Sequence, residues 1–543
     1  MFNSLVNQLQ TWCRQWKNAV SHIAARKSLV IIAFGCIPII VNPLFSLFMG
    51  IPHPQGTDEF GYLLMADTFT HGRIANPSHP LWRHFETFAE IETPTRSAIS
   101  PPMQGLFLSI GQIIFHCPIA GVWISIGLMC SAMAWMLYGW LRPTWALIGS
   151  LLALCNCGLY TYWSHTYWGG APAAIGGSLV FGALLRLLRN PSICQSSMLG
   201  LGCCILANSR PLEGFIVCLP VAGALVVWLL QCDLPLPKKI GRVIAPIVIA
   251  MSLLLAQTAF FNKTITGSPF VFPETLAIKK LSSVPLFLWQ KPRPEPAFSS
   301  RIFKDCEEKF TKVYYTAKRS SIRGFLFWSR YELVGFSNFY LGTIPLLVIL
   351  FTIPYYLKRR RHAFAFGVVM LLLCVDVLCL SIMTQPNYFA PITSLLFLLA
   401  AIGFRRLSIL RFRQIRIGRI VAPALLLLTI ALSAGNMLVN MKRPAFRPWK
   451  TDRIYSRGNA RFDMIERLKN QGGKHLIIVR YGPLHDFAEE WAYNGADIDG
   501  SPVVLARELD EPSTKKLRDY FSDRRIWLLS VDDDEKPPRL TPY

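Results

Sequence analysis

Two adjacent carboxylates, Asp58 and Glu59, are the residues whose type and position most directly indicate chemistry. They follow the first segment that is apolar enough to span a bilayer, and they open a polar, aromatic-rich stretch over 57–102. Thr57 or Asp58 can cap a short helix that Gly72 can end. Free backbone N–H groups and the helix dipole favour ionised acids at such a start, so Asp58 is a candidate general base at neutral pH. The alternative is that Asp58 only caps the helix.

A second set of charges, Arg210 and Glu213, stands between two short apolar runs at 196–208 and 212–231. Charged groups near membrane depth are costly unless they are paired or line a wet cavity, so their presence indicates function. The planar fork of donors on Arg210 suits the binding of a phosphate. The alternative is an ion pair that only stabilises a break between two helices.

Three further polar residues have two or more interpretations each. His165 lies in an outer loop among tyrosines and tryptophans, where it orients a sugar or a phosphate, ligates a metal, or is a simple interfacial histidine. Tyr388 stands at the outer end of an apolar segment, as a substrate contact or as an aromatic-belt residue. Asp376 lies within an apolar run and has no chain of titratable partners, which favours an interhelical hydrogen bond over a proton relay. His165 and Tyr388 are therefore candidate substrate-binding residues.

The stretch after the first span also contains possible metal ligands. His79, His84 and Glu86 offer two imidazoles and a carboxylate that can bind a divalent ion. No spacing enforces such a site, and the chain lacks the Cys/His spacing of structural zinc sites. These three residues are weak candidates, and the sequence assigns no other cofactor. The 14 cysteines lie mostly in apolar segments and imply no disulfide framework.

These candidates belong to a chain that is too apolar for a soluble enzyme, since 52% of its 543 residues are hydrophobic and 16% are charged. Such a composition predicts a polytopic membrane protein. The formal net charge of +24 does not indicate nucleic-acid binding. Residues 441–543 contain 19 bases and 17 acids, and the excess of bases lies earlier, mostly beside apolar segments. Bases in such places act as orientation signals, so we expect no nucleic-acid partner.

Apolar windows of about 17–25 residues predict about eleven transmembrane helices. They lie at 28–50, 120–141, 144–162, 171–188, 196–208, 212–231, 241–261, 338–357, 363–383, 387–404 and 419–440. Loops that carry bases alternate with loops that carry few or none. Because bases mark the cytoplasmic side, the alternation places the N-terminus in the cytoplasm and the C-terminus outside.

The membrane domain, 28–440, thus follows a cytoplasmic amphipathic N-terminus at 1–27 and has external loops at 51–119 and 262–337. Residues 441–543 change in composition and predict a small extracytoplasmic α/β domain. A predicted strand in this domain is followed by a polar and aromatic stretch that contains His485, Glu489, Glu490, Trp491, Tyr493 and Asn494. No nucleophile–base spacing is recognisable there, so the stretch indicates surface recognition or a structural loop.

The end of the first external loop has its own pattern. Met103–His116 predicts a helix in the plane of the interface, because its polar residues lie near one side and its apolar residues elsewhere. The Pro101-Pro102 pair precedes this helix, and Cys117-Pro118 separates it from the next span. Tyrosines and tryptophans cluster at 160–168, at the outer end of the third span, as in an aromatic belt.

Together these features resemble the GT-C glycosyltransferases, and most closely the branch of aminoarabinose transferases and protein O-mannosyltransferases. The resemblance covers 28–440 and rests on Asp58-Glu59 after the first span, the in-plane helix, Pro101-Pro102, the external Tyr-Trp cluster and the outside C-terminal domain. It implies a sugar donor carried on a polyprenyl phosphate, inverting transfer on the outer face of the membrane, and the acid of the first loop as base. Asp58 matches that acid, with Glu59 beside it.

One position departs from the family pattern. Members often have a Lys just before the Pro-Pro pair, where it meets the donor phosphate. In this chain Ile99-Ser100 stand there, and the nearest base is Arg96. We therefore expect Arg210 to carry more of the phosphate binding, with Arg96 as the other candidate.

The chemistry agrees with the resemblance. An acceptor hydroxyl needs a carboxylate to take its proton as it attacks the anomeric carbon, whereas a leaving lipid phosphate needs cations rather than an acid. One base with one or two arginines meets both needs. The sequence therefore predicts a glycosyltransferase of the cell (inner) membrane, with a polyprenyl-phosphate-linked sugar as donor and a glycolipid, polysaccharide or protein of the cell envelope as acceptor.

Two other classes remain as alternatives. A polytopic transporter or lipid-linked-sugar flippase also has many spans and intramembrane charges, but transporters usually have related halves with broken helices in both, and the sequence predicts one such break. A non-enzymatic scaffold that displays the C-terminal domain does not account for the charged residues within the membrane.

Overall fold

The computed structural model of the chain describes residues 18–54, 56–411, 416–442, 452–483, 485, 490–532 and 538–543. Its helices, numbered in chain order, are α1 Lys27–Met49, α2 Thr57–Thr70, α3 Met103–Phe115, α4 Pro118–Trp140, α5 Pro143–Ala153, α6 Ala171–Arg189, α7 Ile193–Ala207, α8 Pro211–Gln231, α9 Leu236–Thr266, α10 Pro273–Leu281, α11 Arg301–Cys306, α12 Lys312–Ser320, α13 Ile322–Tyr340, α14 Thr343–Phe351, α15 Ile353–Leu357, α16 Arg360–Cys379, α17 Pro386–Ser408, α18 Gly418–Lys442, α19 Asp452–Asn470 and α20 Glu511–Tyr520. Its strands are β1 Asn76–Pro77, β2 Glu90–Ile91, β3 Thr95–Ala98, β4 His475–Tyr481, β5 Val503–Arg507, β6 Arg525–Val531 and β7 Arg539–Pro542.

The chain is a mostly helical multi-pass membrane protein. In the described part, eight helices are long and apolar enough to cross a membrane, namely α1, α4, α6, α8, α9, α16, α17 and α18. Helices α13 and α14 form a ninth candidate if they count as one span, although they are bent by 106° at the break between them. Helices α3 and α7, and α5 with the π turn that follows it, are apolar but shorter.

The number of spans therefore stays a prediction. The windows at 144–162 and 196–208 correspond to α5 and α7, which are short for a span. The window at 338–357 is not one straight helix, because its first residues end α13 and the rest forms α14 and α15. The chain turns at Gly342, whose φ of 65° lies in the left-handed region that glycine adopts without strain. Hydropathy measures apolar content only, and it does not register such a turn.

The first external loop contains α2, a small sheet and α3. Helix α2 ends before Gly72, which has a φ of 68°, as the sequence predicted. The strands form an antiparallel sheet in the order β1-β3-β2. Helix α3 buries Gln104 and Ser109 and exposes Leu106, Ile113 and Ile114. An exposed apolar side of this kind suits a helix that lies against lipid.

A buried ion pair joins two helices of the second external loop and is bonded to the segment just before α17. Lys318 on α12 lies 3.1 Å from the carboxylate of Glu332 on α13, and neither side chain is exposed. The Tyr314 hydroxyl donates to the same carboxylate at 2.5 Å, and so does the backbone N–H of Thr384 at 3.0 Å. Because a buried charge is stable only when paired and hydrogen-bonded, this network holds α12, α13 and the start of α17 in one arrangement.

The C-terminal region is built on a four-stranded sheet in the order β5-β4-β6-β7. Strand β4 pairs in parallel with β5 and β6, and β6 pairs antiparallel with β7. Both sides of β4 are buried, with Leu476 and Ile478 in one core and Ile477 and Val479 in another. Burial on both faces is typical of a parallel sheet covered by helices, and here α20 contributes Leu517.

The two long loops and the C-terminal region lie on one side of the molecule. The Asp67 carboxylate of α2 accepts a hydrogen bond from the backbone N–H of Ala496 at 2.6 Å. The Lys280 ammonium of α10 donates to the Thr93 hydroxyl at 3.0 Å. These contacts assemble residues far apart in sequence into one polar layer above the membrane helices.

Candidate active site

The first turn of α2 gives Asp58 and Glu59 different surroundings. Gly56, with extended backbone, is the N-cap, so the predicted cap at Thr57 or Asp58 is wrong. Glu59 is 2% exposed, and its carboxylate accepts from the backbone N–H groups of Gly56 at 2.8 Å and of Tyr167 at 3.0 Å. Glu59 therefore completes the cap and ties α2 to the aromatic loop at 160–168. Asp58, at the second position of the helix, is only partly buried.

The turn between α7 and α8 places Arg210 beside the first external loop. The backbone N–H of Arg210 donates to the Leu206 carbonyl at 2.7 Å and closes the turn. The Asn208 carbonyl accepts from the backbone N–H of Met103 at 2.9 Å, directly after the double proline. The Arg210 guanidinium lies over the ring of Tyr388, 4.4 Å from its centroid. Two predicted substrate-binding residues thus meet next to the segment that the resemblance assigns to the donor.

Asp58 and Arg210 come together around Tyr62 of α2, which is 7% exposed. Burial raises the pKa of the Tyr62 hydroxyl, Arg210 lowers it, and Asp58 and Glu274 raise it. A charge shifts the pKa of a neighbour measurably only at short range. Asp58, Arg210 and Glu274 therefore form one charge cluster, contributed by α2, the α7–α8 turn and α10.

Glu274, in the first turn of α10, is a member that the sequence analysis missed. Its side chain is exposed and lines the cleft described below. Desolvation by nearby protein atoms raises the pKa of the carboxyl, Arg210 lowers it, and Asp58 raises it. The only signal in the sequence was an acid just after a proline at a helix start, a pattern common to many helices. Nothing local distinguishes Glu274 from an ordinary helix start.

Arg210 remains charged because acids and tyrosines surround it. Burial alone disfavours the charge, but Tyr62, Tyr388, Glu213 and Glu274 hold the pKa of Arg210 above its ordinary value. Glu213, 4% exposed on α8, is therefore one of several partners rather than the single partner that the sequence suggested. The Nε atom of Arg210 is buried and has no hydrogen-bond partner among the described residues. The cluster thus retains an unused donor.

Tyr388 is positioned by the aromatic loop. The Trp163 indole donates to the Asn387 side chain at 2.5 Å. The Tyr340 hydroxyl donates to the Pro386 carbonyl at 2.6 Å. These two bonds fix the first turn of α17, so the ring of Tyr388 is held under the guanidinium of Arg210.

A small, open cleft lies beside the charge cluster. Ile99 and Ser100 line one side, with the double proline that follows them. Asn208 of the α7–α8 turn, Phe261 of α9 and Glu274 line the others. Apolar walls with a few polar groups are typical of a ligand site.

His165 lies in the aromatic loop. Its ring centroid is 4.0 Å from that of Tyr160, and its Nδ1 is 3.1 Å from the Ser164 hydroxyl. Burial lowers the pKa of His165 to about 4, so its imidazole is neutral at neutral pH. Its Nε2 is buried without a hydrogen-bond partner in the described part of the chain. His165 stays a candidate substrate contact.

Arg96 has a structural role in this arrangement. It is 2% exposed and lies 3.0 Å from Glu90 and 3.3 Å from Glu92, whose pKa burial raises. It also donates to the backbone carbonyls of Asn494 at 2.9 Å and Gly495 at 2.6 Å. All three nitrogens of the guanidinium are thus used within the protein. We therefore do not include Arg96 in the phosphate-binding site, and Arg210 is the remaining candidate from the sequence.

The weak metal candidates do not converge. His79 Nε2 lies 3.2 Å from the Asp499 carboxylate, and His84 Nδ1 lies 2.8 Å from a backbone carbonyl of β5. Glu86 accepts a hydrogen bond from the Ser299 hydroxyl. Burial lowers the pKa of both histidines. Within the described ranges, no three His, Cys, Asp or Glu side chains are grouped so that they can hold a metal ion.

Asp376 borders the cluster from within the membrane helices. It lies on the π-helical turn Cys374–Cys379 that ends α16, and it is fully buried. Neither carboxylate oxygen has a hydrogen-bond partner among the described residues, so the predicted interhelical hydrogen bond is wrong. The charges of Glu213, Arg210 and Glu332 act on it instead. An aspartate within an apolar run does not by itself show whether a neighbouring helix offers it a hydrogen-bond donor.

Solved structures that are similar to this chain are GT-C glycosyltransferases, the class that the sequence resembles. They include ArnT from Cupriavidus metallidurans bound to undecaprenyl phosphate, with a TM-score of 0.49 and 13% identity over 93% of each chain. They also include the apo oligosaccharyltransferase of Archaeoglobus fulgidus, with a TM-score of 0.46 and 12% identity over 95% of this chain and 69% of that one. No protein-family model and no curated protein matches the chain. At such low scores and identities, these similarities carry no argument on function.

Proposed function

We propose that the protein is a membrane glycosyltransferase that moves a sugar from a polyprenyl-phosphate donor to a hydroxyl of a cell-envelope acceptor on the outer face of the membrane. The observation that carries the proposal is the cluster of Arg210, Asp58 and Glu274 beside the cleft that starts at Ser100. It combines a cation for a leaving phosphate with carboxylates for an attacking hydroxyl.

Arg210 is the residue for the donor phosphate. Its guanidinium packs on Tyr388, which orients it, and its Nε has no partner in the described part of the chain. Planar guanidinium donors bind phosphate oxygens with two parallel hydrogen bonds, and a fixed donor is worth more when charge develops on the leaving group. Arg210 therefore stabilises the polyprenyl phosphate as it departs.

Asp58 is the residue for the acceptor. Glu59, its neighbour, is occupied by two backbone N–H groups, which makes Glu59 a positioning residue of α2. The Asp58 carboxylate belongs to the same charge cluster as Arg210. A carboxylate near the leaving group on one side and an acceptor on the other can take the proton of the attacking hydroxyl.

The cleft suits the junction between the donor's headgroup and its lipid. Its walls include Ile99, Phe261 and Phe272, and its polar groups include Ser100 and Glu274. Helix α9, which supplies one wall through Phe261, exposes Leu253 and Leu255 about two turns earlier in the chain. An apolar prenyl chain can thus leave the cleft towards the bilayer while its phosphate stays with the polar groups.

The reaction is a single displacement. The acceptor oxygen forms a bond to the anomeric carbon, and the bond from that carbon to the phosphate oxygen breaks. The proton of the acceptor goes to Asp58, and the electron pair of the broken bond stays on the phosphate, opposite Arg210. One displacement from the far side inverts the configuration of the anomeric carbon. No second carboxylate is needed as a nucleophile.

The proposal is tested by measuring donor binding and transfer separately. Undecaprenyl phosphate should raise the melting temperature of the purified protein, and undecaprenol should not, because only the phosphate meets Arg210. Arg210→Gln should lose most of that increase and weaken binding more than about 10-fold, the scale of a lost charge-assisted hydrogen bond. Arg406→Gln is the matched control, since Arg406 lies 3.6 Å over the ring of Tyr355, away from the cleft.

Two outcomes would contradict the proposal. If Arg210→Gln lowers the melting temperature of the free protein but retains the response to undecaprenyl phosphate, Arg210 is a structural residue. If liposomes with the purified protein move a fluorescent lipid-linked sugar across the bilayer but transfer no sugar to an envelope extract, the protein is a flippase.

A further inference from the structure

One loop of the C-terminal region, 490–496, is held by an unusual number of buried polar contacts. Arg96 of the first external loop donates to the carbonyls of Asn494 and Gly495, and Arg461 of α19 donates to those of Trp491 and Tyr493, at 3.2 and 2.7 Å. Four successive or nearly successive carbonyls thus receive charged donors. Charge-assisted bonds are among the strongest in proteins, so the loop is rigid in this conformation.

Side chains add to this restraint. The Asn494 side chain donates to the Leu505 carbonyl at 2.7 Å and accepts from the Leu505 N–H at 2.9 Å. The Glu490 carboxylate pairs with Arg507, and Asp67 of α2 receives the N–H of Ala496. Of the polar and aromatic stretch noted in the sequence, Glu489 lies outside the described residues. Tyr493 joins the C-terminal region to α2, and Asn494 joins it to the sheet of the first loop, whereas His485 stacks on Tyr481 of β4.

The loop carries Tyr493 to the start of α2. The ring of Tyr493 stacks on that of Phe60, with centroids 4.1 Å apart and planes 9° apart. The Arg461 guanidinium also lies over the Phe60 ring, 4.8 Å from its centroid. Phe60 stands in the same first turn of α2 as Asp58, so the stack holds Tyr493 at the helix start that carries the proposed base.

The hydroxyl of Tyr493 is the one polar group of this side chain, and it is not used. The residue is 3% exposed, and its hydroxyl has no hydrogen-bond partner among the described residues. Burial raises the pKa of Tyr493, and the charges of Glu490, Glu90 and Asp58 raise it further. The hydroxyl is therefore protonated at neutral pH. A buried donor without a partner destabilises a protein unless a ligand satisfies it.

We infer that Tyr493 is an acceptor-binding residue, so that the C-terminal region completes the active site. In this inference, which rests on the proposed function, the Tyr493 hydroxyl donates a hydrogen bond to an oxygen of the hydroxyl-bearing acceptor beside Asp58. The rigid loop then selects an acceptor that presents one oxygen to Asp58 and another to Tyr493. The donor is bound by Arg210 and does not depend on this contact.

The experiment uses the full-length protein and Tyr493→Phe, which retains the ring stack and removes only the hydroxyl. Transfer is measured from an extracted polyprenyl-phosphate-linked sugar to a titrated cell-envelope extract of the source organism. We expect about a 10-fold rise in the half-saturating amount of extract, the scale of one lost hydrogen bond to a substrate. The response to undecaprenyl phosphate should not change. The melting temperature should stay the same or rise, because a buried unpaired group has been removed.

Tyr520→Phe is the matched control. It removes a tyrosine hydroxyl from the same region, where that hydroxyl lies 3.1 Å from Asp499, and it should leave half-saturation unchanged. Normal half-saturation in Tyr493→Phe would overturn this inference alone. A lower melting temperature with weaker undecaprenyl phosphate binding would also overturn it, since the hydroxyl would then be structural. If the wild-type protein transfers no sugar, the proposed function fails and this inference fails with it.

Discussion

Asp58 and Glu59 illustrate how two adjacent acids acquire different roles. Both stand in the first turn of α2, where the helix dipole favours ionised carboxylates. The Glu59 carboxylate is buried and accepts hydrogen bonds from the backbone N–H groups of Gly56 and Tyr167. Asp58 points away from Glu59 because successive side chains on a helix diverge, and its charge acts on the Arg210 cluster. In the proposed mechanism, the pair therefore divides into one reactive acid, Asp58, and one positioning acid, Glu59.

Substitution of Asp58 by Asn should reduce transfer without affecting donor binding. A general base accepts the proton only as the new bond forms, so its loss acts on the transition state. Asp58→Asn retains shape and polarity, and the N-cap is Gly56, so the fold should persist. We expect transfer about 100-fold slower or more, the usual scale for a lost general base. The measurements are the transfer rate and the melting-temperature response to undecaprenyl phosphate.

Glu59→Gln provides the comparison for Asp58→Asn. It weakens two buried hydrogen bonds from backbone N–H groups, so we expect a loss of stability of about 1–3 kcal/mol for the disrupted network. Transfer per folded molecule should fall less than in Asp58→Asn. If Asp58→Asn transfers sugar at the wild-type rate while Glu59→Gln is stable and inactive, the roles of the two acids are reversed.

A turn positions Arg210, whereas a small sheet positions Arg96. The α7–α8 turn is bonded to the start of α3 through Asn208 and Met103. The small sheet β1-β3-β2 carries Arg96, Glu90 and Glu92 to the loop at 490–496. The two elements therefore have different roles. The turn holds Arg210 beside the cleft, whereas the sheet holds Arg96, which joins the first loop to the C-terminal region.

Removal of Arg96 should destabilise this junction. Arg96→Gln leaves Glu90 and Glu92 buried without their cation, and the loss of one partner from a buried ion pair costs about 3–5 kcal/mol. We expect a marked fall in melting temperature and faster proteolysis of the C-terminal region. The triple variant Arg96→Gln, Glu90→Gln and Glu92→Gln should recover part of the stability, because it removes the unpaired charges.

The opposite outcome would show that Arg96 binds the donor phosphate. The Arg96→Gln protein would then have the melting temperature of the wild-type protein, and that temperature would no longer rise when undecaprenyl phosphate is added. Arg210→Gln, measured in parallel, separates the two arginines, because only the residue that meets the phosphate changes binding without changing the junction.

At the scale of the whole molecule, one polar layer combines the first loop, the second loop and the C-terminal region. Hydrogen bonds of Asp67, Arg96 and Lys280 connect these three parts of the chain. They must therefore share one side of the membrane, whichever side it is. The alternation of basic loops predicts that this side is outside, where lipid-linked sugars meet envelope acceptors.

The orientation is tested by cysteine labelling in intact cells. Lys515→Cys, exposed on α20, should react with an impermeant thiol reagent, whereas Lys358→Cys, exposed between α15 and α16, should react only after the membrane is opened. The wild-type protein is the reference, because it has cysteines of its own. The reverse labelling pattern would invert the predicted topology, and equal labelling of both variants in intact cells would contradict the predicted placement of these two positions on opposite sides of the membrane.

The sequence by itself determined the class of fold and the residues with the strongest local signals. Apolar content separates membrane helices from polar loops, because burial in lipid depends on composition summed over a window. The charges Asp58 and Arg210 were recognisable because an ionised group beside or within an apolar run is costly. The strand that begins at His475 and the helix that ends before Gly72 were also predictable, because both depend on the local preferences of neighbouring residues.

Only the tertiary structure decided which of these residues meet. Arg96 and Arg210 are alike in sequence, but long-range contacts use every nitrogen of one guanidinium and leave a donor of the other unpaired. Glu274 had no distinctive local signal, and Tyr493 stood in a polar and aromatic stretch whose role the sequence left open; their places depend on α10 and on a loop far along the chain. Contacts between distant segments depend on the packing of all the elements at once, and no local window of sequence contains that information.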